Sequence, residues 1–275
     1  MQRETGTVTS TLLDDSWRAT WSRGGVLFRQ NVRLLLSDPS PIVITTVMPI
    51  VMMAFLRGTG EAVLRQQGYP DATGAEVVVP GMAVLFALFG VGYIAVGFFS
   101  EHHWGTWPRL RASAARPVEV VLGKILPSAL LEAVQLVVLF VAGALLFGFT
   151  VQGSVGGVAI MIGACTVFLV AMSMLFTAMF TTMNQLNAVV NLAAMVLGGL
   201  GGALAPIEAL PGWAQTIAPL SPAFWMLDGF RRVVLEPGGW ASTLGPALVT
   251  LGFAAGAGLV AAWRFRLTDE KRWDE

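Results

Sequence analysis

Six apolar stretches divide this 275-residue chain, most of them long enough to cross the hydrocarbon of a bilayer as a helix. They cover 41–56, 77–100, 125–147, 155–180, 188–205 and 244–263. Lipid offers no partner to free backbone N–H and C=O groups, so a spanning stretch of this kind has to be helical. Composition agrees: 55% of residues are hydrophobic and 12% charged, about half the roughly 25% charge of a soluble domain. The reading is an all-α integral membrane protein with six transmembrane helices. The first is the shortest, and Pro49 removes one of its helical hydrogen bonds, so a kink is expected there.

The first 41 residues carry Asp14, Asp15, Arg18, Arg23, Arg29, Arg33 and Asp38 and no early apolar core. They do not read as a secretory signal, so the first apolar segment is expected to be kept as a helix. Within them, Trp17, Trp21, Phe28, Val32 and Leu35 fall on one stripe at helical spacing, with the arginines largely off it. An amphipathic helix in the membrane interface explains the pattern; a cytoplasmic helix packed on protein is the alternative. Organisation follows as a tail and interfacial helix over 1–40, a transmembrane domain over 41–266 and a tail over 267–275. With both termini in the cytoplasm, thirteen of the 17 Lys and Arg residues fall on the cytoplasmic side, as the positive-inside bias requires. Residues 206–240 lie on the other side. Pro206, Pro211, Pro219, Pro222 and Pro237 cut them into short pieces, which fits short re-entrant helices between spans five and six better than a seventh span.

The cytoplasmic loop 100–124 is basic and rich in aromatic anchors. Thr106 can cap a short helix starting near Trp107-Pro108, from which Arg109, Leu110 and Arg111 would project toward a cytoplasmic partner. No Gly-x-x-x-x-Gly-Lys-[Ser/Thr] phosphate loop occurs: Gly123-Lys124 runs on into Ile125. No Gly-x-Ser-x-Gly elbow occurs either. The chain therefore has no catalytic machinery of its own and no nucleotide site. His102 and His103 are the only histidines and Cys165 the only cysteine, which leaves no metal site and no cofactor bound by this chain. A formal net charge of zero gives no reason to expect a nucleic-acid partner.

Polar residues inside apolar stretches are the remaining candidates. Glu132 lies well inside the third span, with Ser128 and Gln135 on the same face. They form either a polar patch on a substrate path or a structural hydrogen bond to a neighbouring helix. Asn184, Asn187 and Asn191 share one face near the start of the fifth span, as interhelical hydrogen bonds or as the lining of a cavity. Ser173, Thr177 and Thr181 read as packing through the helix's own carbonyls. Gly198 with Gly202, and Gly252 with Gly256, are pairs of small residues that mark close helix contacts. Asp228 and Arg231 read as a structural pair at i and i+3.

The order of these motifs resembles the permease subunit of type-2 ABC exporters, the group of drug-resistance, polysaccharide and lipid exporters. Glu101, Gly105-Thr106, Arg109-Leu110-Arg111 and Gly123-Lys124 follow the family's loop pattern. Asn191-Leu192, a glycine-rich stretch, Ala205-Pro206-Ile207-Glu208, Leu210-Pro211-Gly212-Trp213, Leu220-Ser221-Pro222 and Asp228-Gly229-Phe230-Arg231 follow its fifth span and outer helices. One departure is His102-His103-Trp104, bulkier than the family pattern. The resemblance covers roughly residues 16–266. It implies that the interfacial helix is an elbow helix. It implies that Glu101, Gly105, Thr106, Arg109, Leu110 and Arg111 form the coupling element against a separate ATPase, present in two copies and binding ATP and Mg. It also implies a second permease chain, identical or paralogous, with Gly198 and Gly202 either at that interface or in ordinary packing. The outer helices would lid the exit. The cargo would be hydrophobic or amphipathic, a drug, lipid or glycan, moved out across a bacterial plasma membrane. A stand-alone ion-coupled carrier or channel is the alternative. It predicts paired ionisable residues near the midplane or repeated halves, and the sequence carries neither.

Overall fold

The computed structural model describes residues 40–103 and 117–264, with four helical positions at 25, 29, 33 and 37. The aromatic stripe of 16–36 and the coupling residues Gly105, Thr106, Arg109, Leu110 and Arg111 lie outside the described residues. Glu101 falls within a helix, but its side chain also lies outside them.

Every described element is helical. The long ones are α1 (Ser40–Gln66), α2 (Ala75–His103), α3 (Pro117–Phe147), α4 (Val155–Met179), α5 (Met183–Gly201) and α8 (Leu244–Arg264). All six are long and apolar enough to span a bilayer. Between α5 and α8 lie α6 (Gly212–Ile217), α7 (Pro222–Val234) and three short 3-10 turns.

Several boundaries differ from the sequence reading; the third helix, for one, starts at Pro117, eight residues before Ile125. The first helix runs ten residues past Leu56, to Gln66. Its charged extension is held by a Glu61–Arg65 ion pair one turn apart and by Arg57 Nε, which donates to the Thr73 carbonyl at 3.1 Å. Charge marks where the apolar stretch stops and leaves the helix free to continue. The fifth helix starts at Met183 instead of Ala188, because the Thr182 hydroxyl accepts the Gln185 N–H as a cap. It stops at Gly201 instead of Ala205 because Gly202 takes a left-handed φ of 92° and its N–H closes onto the Gly198 and Gly199 carbonyls.

The α1–α2 hairpin is built at its turn. Thr73 and Glu76 form a capping box: Thr73 N–H donates to Glu76 Oε2 at 3.1 Å, and Ala75 N–H donates to Thr73 Oγ1 at 3.3 Å. Between them Gly74, at φ 83°, lies so close to Arg57 and Glu61 of α1 that no Cβ fits.

The core sits around α2, whose apolar stretch is 83% buried against 22% for α1 and 28% for α5. It touches α1, α3, α4, α5 and α7, while α8 packs on α4 and α7. Phe99, Phe168 and Phe230 are fully buried, and the Phe140 ring meets Phe230 with centroids 4.9 Å apart, joining α3 to α7. Ser221, at the start of α7, donates its hydroxyl to the Leu197 carbonyl of α5 at 2.9 Å. Gln152 and Gly153, in the α3–α4 connection, donate their N–H groups to the last carbonyls of α7. These ties gather α6 and α7 at the end of the bundle where α1, α3 and α5 finish.

Gly74→Ala should destabilise the purified chain by roughly 2–4 kcal/mol, through left-handed strain and overlap with α1. Gly58→Ala, at a helical position where a Cβ meets nothing within 4 Å, should leave the thermal midpoint in detergent unchanged or raised.

Candidate functional site

Three polar features interrupt the apolar bundle. The first is a buried layer shared by α1, α2 and α3. Ser128, Glu132 and Gln135 are each at most 8% exposed and all face inward from α3, as their spacing predicts. Gln135 reaches α1: Thr45 Oγ1 donates to Gln135 Oε1 at 3.0 Å, and Gln135 Nε2 donates to the Thr45 carbonyl at 3.4 Å. Covalent chemistry supplies the reason. Thr45 is four residues before Pro49, and proline has no N–H to give the carbonyl one helical turn back. The Gln135 amide serves the carbonyl that Pro49 leaves without its helical donor. Glu132 is 4% exposed and lies against Gly90 of α2, where a Cβ would sit 2.9 Å from its Oε1. That Oε1 accepts no hydrogen bond among the described residues.

The second feature is a face of α5. Asn184, Asn187 and Asn191 are all exposed, alongside Leu192, Met195 and Val196. Asn187 Oδ1 lies 3.4 Å from where a Cβ on Gly92 would be, so it sits at the edge of the α2 contact. The two glycines at the other end of α5 are both used within the chain. A Cβ on Gly198 would meet Leu85 of α2 at 2.6 Å, and Gly202 is the left-handed cap. Gly252 and Gly256, by contrast, have nothing within 4 Å of an added Cβ. Thr177 Oγ1 donates to the Ser173 carbonyl at 2.8 Å, the local bond expected of that stripe.

The third feature is a cavity of about 300 Å³ at the α7 end. Its apolar wall includes Val77, Pro80, Ile207, Phe224 and Leu227, and Glu76, Glu208, Asp228 and Arg231 are its charged lining. Asp228 and Arg231 do not pair as their spacing suggests. Arg232 Nε donates to Asp228 Oδ2 at 2.9 Å, one helical turn along. Arg231 is thereby left to donate to Glu208 Oε1 at 2.9 Å and to Gln67 Oε1 at 3.3 Å. This clamp joins the end of α1, the segment after α5, and α7. Partial burial pushes the Glu208 carboxyl upward, but its backbone hydrogen bond and Arg231 outweigh that and hold it below its ordinary 4.5.

Sequence reasoning found Glu132 and Gln135 but not the α1 partner of Gln135, although a proline four residues after Thr45 was the available signal. It could not find the Arg231 clamp, because Gln67 and Arg231 are 164 residues apart. No group of three or more metal-ligating side chains occurs among the described residues.

With this geometry in hand, two comparisons bear on the chain. The profile of the ABC-2 type transporter family matches residues 24–235. The linearmycin resistance permease protein LnrN of Bacillus subtilis (strain 168) is 25% identical over 199 residues, covering 70% of this chain. The match takes in 51% of that protein, so the chain spans about half the length of the curated relative it matches.

Two outcomes test the site. Gly90→Ala should destabilise the chain by roughly 1–3 kcal/mol, the usual range for overpacking, and Glu132→Ala in the same chain should recover part of that loss in thermal melts. The Glu208–Arg231 pair is about half exposed, so its contribution is small. A lowered carboxyl stabilises above its ordinary value and loses that contribution as pH falls through the folded value. The melting difference between wild type and Glu208→Gln should therefore be present at pH 6 and vanish as pH drops below the ordinary 4.5.

Proposed function

Since this chain belongs to the ABC-2 type transporter family, we propose that it is the permease half of an ATP-driven exporter. The observation that carries the reading is the family match across 24–235, which takes in the first five spans and α6 and α7. The sequence given carries no phosphate loop, and the ATPase would be a separate subunit. Two copies would dock on the loops 100–124 of two permease chains. There Arg109 and Arg111 would meet the ATPase surface, and Glu101, Gly105, Thr106 and Leu110 would shape the coupling helix. Nucleotide binding would bias the permease between inward-facing and outward-facing states by its differential affinity for the two.

The exposed amides of α5 support the pairing of permeases. A carboxamide turned toward hydrocarbon leaves donors and acceptors unsatisfied, at a cost of a few kcal/mol. A second permease chain across Asn184, Asn187 and Asn191, identical or paralogous, would enclose them and line a path. The apolar, weakly charged spans favour a hydrophobic or amphipathic cargo such as a drug, lipid or glycan. The name of the Bacillus subtilis relative records a resistance role for that protein, which fits efflux here. The cavity under Arg231 would lie at the outer exit, with the short helices of 206–240 above it and both termini in the cytoplasm of a bacterial cell.

The test is purification from the native membrane in mild detergent, followed by mass spectrometry and an ATP hydrolysis assay. A stoichiometric ATPase with vanadate-sensitive turnover supports the exporter. Charge reversal at both Arg109 and Arg111 should release that ATPase and leave the membrane domain's melting unchanged. Purification without any ATPase would favour a stand-alone carrier or channel.

A further inference from the structure

We propose that the cavity beside α7 binds a compact amphipathic cation, with its charge at Glu76 and its apolar body against Val77, Pro80, Ile207, Phe224 and Leu227. The site rests on this chain alone; only the use of the bound cation as cargo rests on the exporter reading.

The charges of the lining decide the sign of the ligand. Three carboxylates and one guanidinium line the cavity. Two of the carboxylates are matched one to one, Glu208 by Arg231 and Asp228 by Arg232, each at 2.9 Å. Glu76 is not matched. It is 5% exposed and makes no ion pair among the described residues. Its hydrogen bonds come from Thr73, whose N–H and hydroxyl donate to it at 3.1 and 3.2 Å. Arg57 gives its Nε–H to the Thr73 carbonyl instead of to the carboxylate. The start of α2 favours a negative charge, but the helix dipole is equivalent to only about half an elementary charge. A buried carboxylate that has hydrogen bonds and no counter-charge attracts a cation. The surroundings act in the same sense. Over 57–76 and 201–243, the segments at this end of the bundle, six carboxylates stand against four arginines. An excess of one sign around a cleft concentrates ligands of the other.

Volume and wall decide the rest. About 300 Å³ is the small end of the range for ligand pockets. A glycan or a long acyl chain exceeds it, whereas an ammonium on a short alkyl or aryl body fits. The wall is apolar, and Phe224 supplies an aromatic ring, a surface that a quaternary ammonium favours. The ligand would touch the start of α2, the segment after α5, and α7, so binding should also raise the thermal midpoint.

Equilibrium dialysis of benzyltrimethylammonium against the full chain in phosphatidylcholine nanodiscs tests the site. The zwitterionic lipid offers the cation no charged surface, and 3-phenylpropionate serves as a probe of similar body and opposite charge. The wild type should bind one benzyltrimethylammonium per chain, saturably, and 3-phenylpropionate at least tenfold more weakly. Glu76→Gln keeps the cap, because a glutamine carbonyl also accepts the backbone N–H of a capping box. It should leave the melting of the free chain little changed and weaken cation binding roughly tenfold, between the effects of exposed and of buried charge pairs. Leu227→Trp should fill the cavity and remove binding. Wild-type affinity in Glu76→Gln would make Glu76 a helix cap only and overturns the proposal. So does an absence of saturable binding, or equal binding of the two probes. That last comparison uses the wild type, so it decides the matter even where a variant fails to fold. No ATPase or nucleotide takes part, so failure of the exporter reading would leave the result standing.

Discussion

The arrangement depends on how closely other helices can approach α2. Lipid tails are as apolar as leucine, so helices in a membrane are not pressed together by a hydrophobic force; contact area and backbone approach decide their association. Here α2 receives five neighbours, and the points of approach are residues without side chains or with small ones. Gly81 lies under the Ala203 carbonyl, Gly143 of α3 takes Val79, Gly198 of α5 takes Leu85, and Gly90 takes a carboxyl group. Bulk at any of them would force a neighbour outward, and the polar layer, the α5 face and the cavity at the α7 end are all placed by those contacts.

Much of this was legible in the sequence, for a physical reason. Hydrocarbon imposes helices on any apolar stretch of sufficient length, so the existence and order of six spans followed from hydropathy alone. Spacing placed Ser128, Glu132 and Gln135 on one face, and they do share one. Length was misread where water and lipid meet, because apolarity ends at Arg57 while the helix continues to Gln66 on an ion pair and a hairpin turn. Asp228 and Arg231 were paired by proximity along a helix. The real partners of Arg231 come from two distant segments, and one-dimensional spacing carries no information about those. The glycines of α5 illustrate a further limit: a small-residue pair predicts a close contact but not whose surface makes it.

Proline has a recurrent part in the first three spans, where Pro49, Pro80 and Pro127 each fall inside a helix. In water the freed carbonyl would simply be hydrated. In a bundle it has to be met by a neighbour, which turns a local backbone defect into a specific link between helices. The α1–α3 link is of this kind, and it is why a glutamine, with a donor and an acceptor on one group, suits position 135.

The early end of apolarity in α1 has a consequence for the surrounding lipid. From Pro41 to Leu56 the helix offers 16 apolar or neutral residues before Arg57, about 24 Å of rise, whereas the span of α3 from Ile125 to Phe147 is 23 residues with Glu132 as its one ionisable group, about 35 Å. The hydrocarbon is about 30 Å thick. The uncharged stretch of one flank is thus shorter than the hydrocarbon and that of another slightly longer, so α1 completes its crossing with the charged extension to Gln66. The shortfall is met by thinning of the adjacent leaflet or by Arg57 reaching up to the headgroups. This hydrophobic mismatch is built into one molecule, so bilayer thickness itself acts as a load on the first helix.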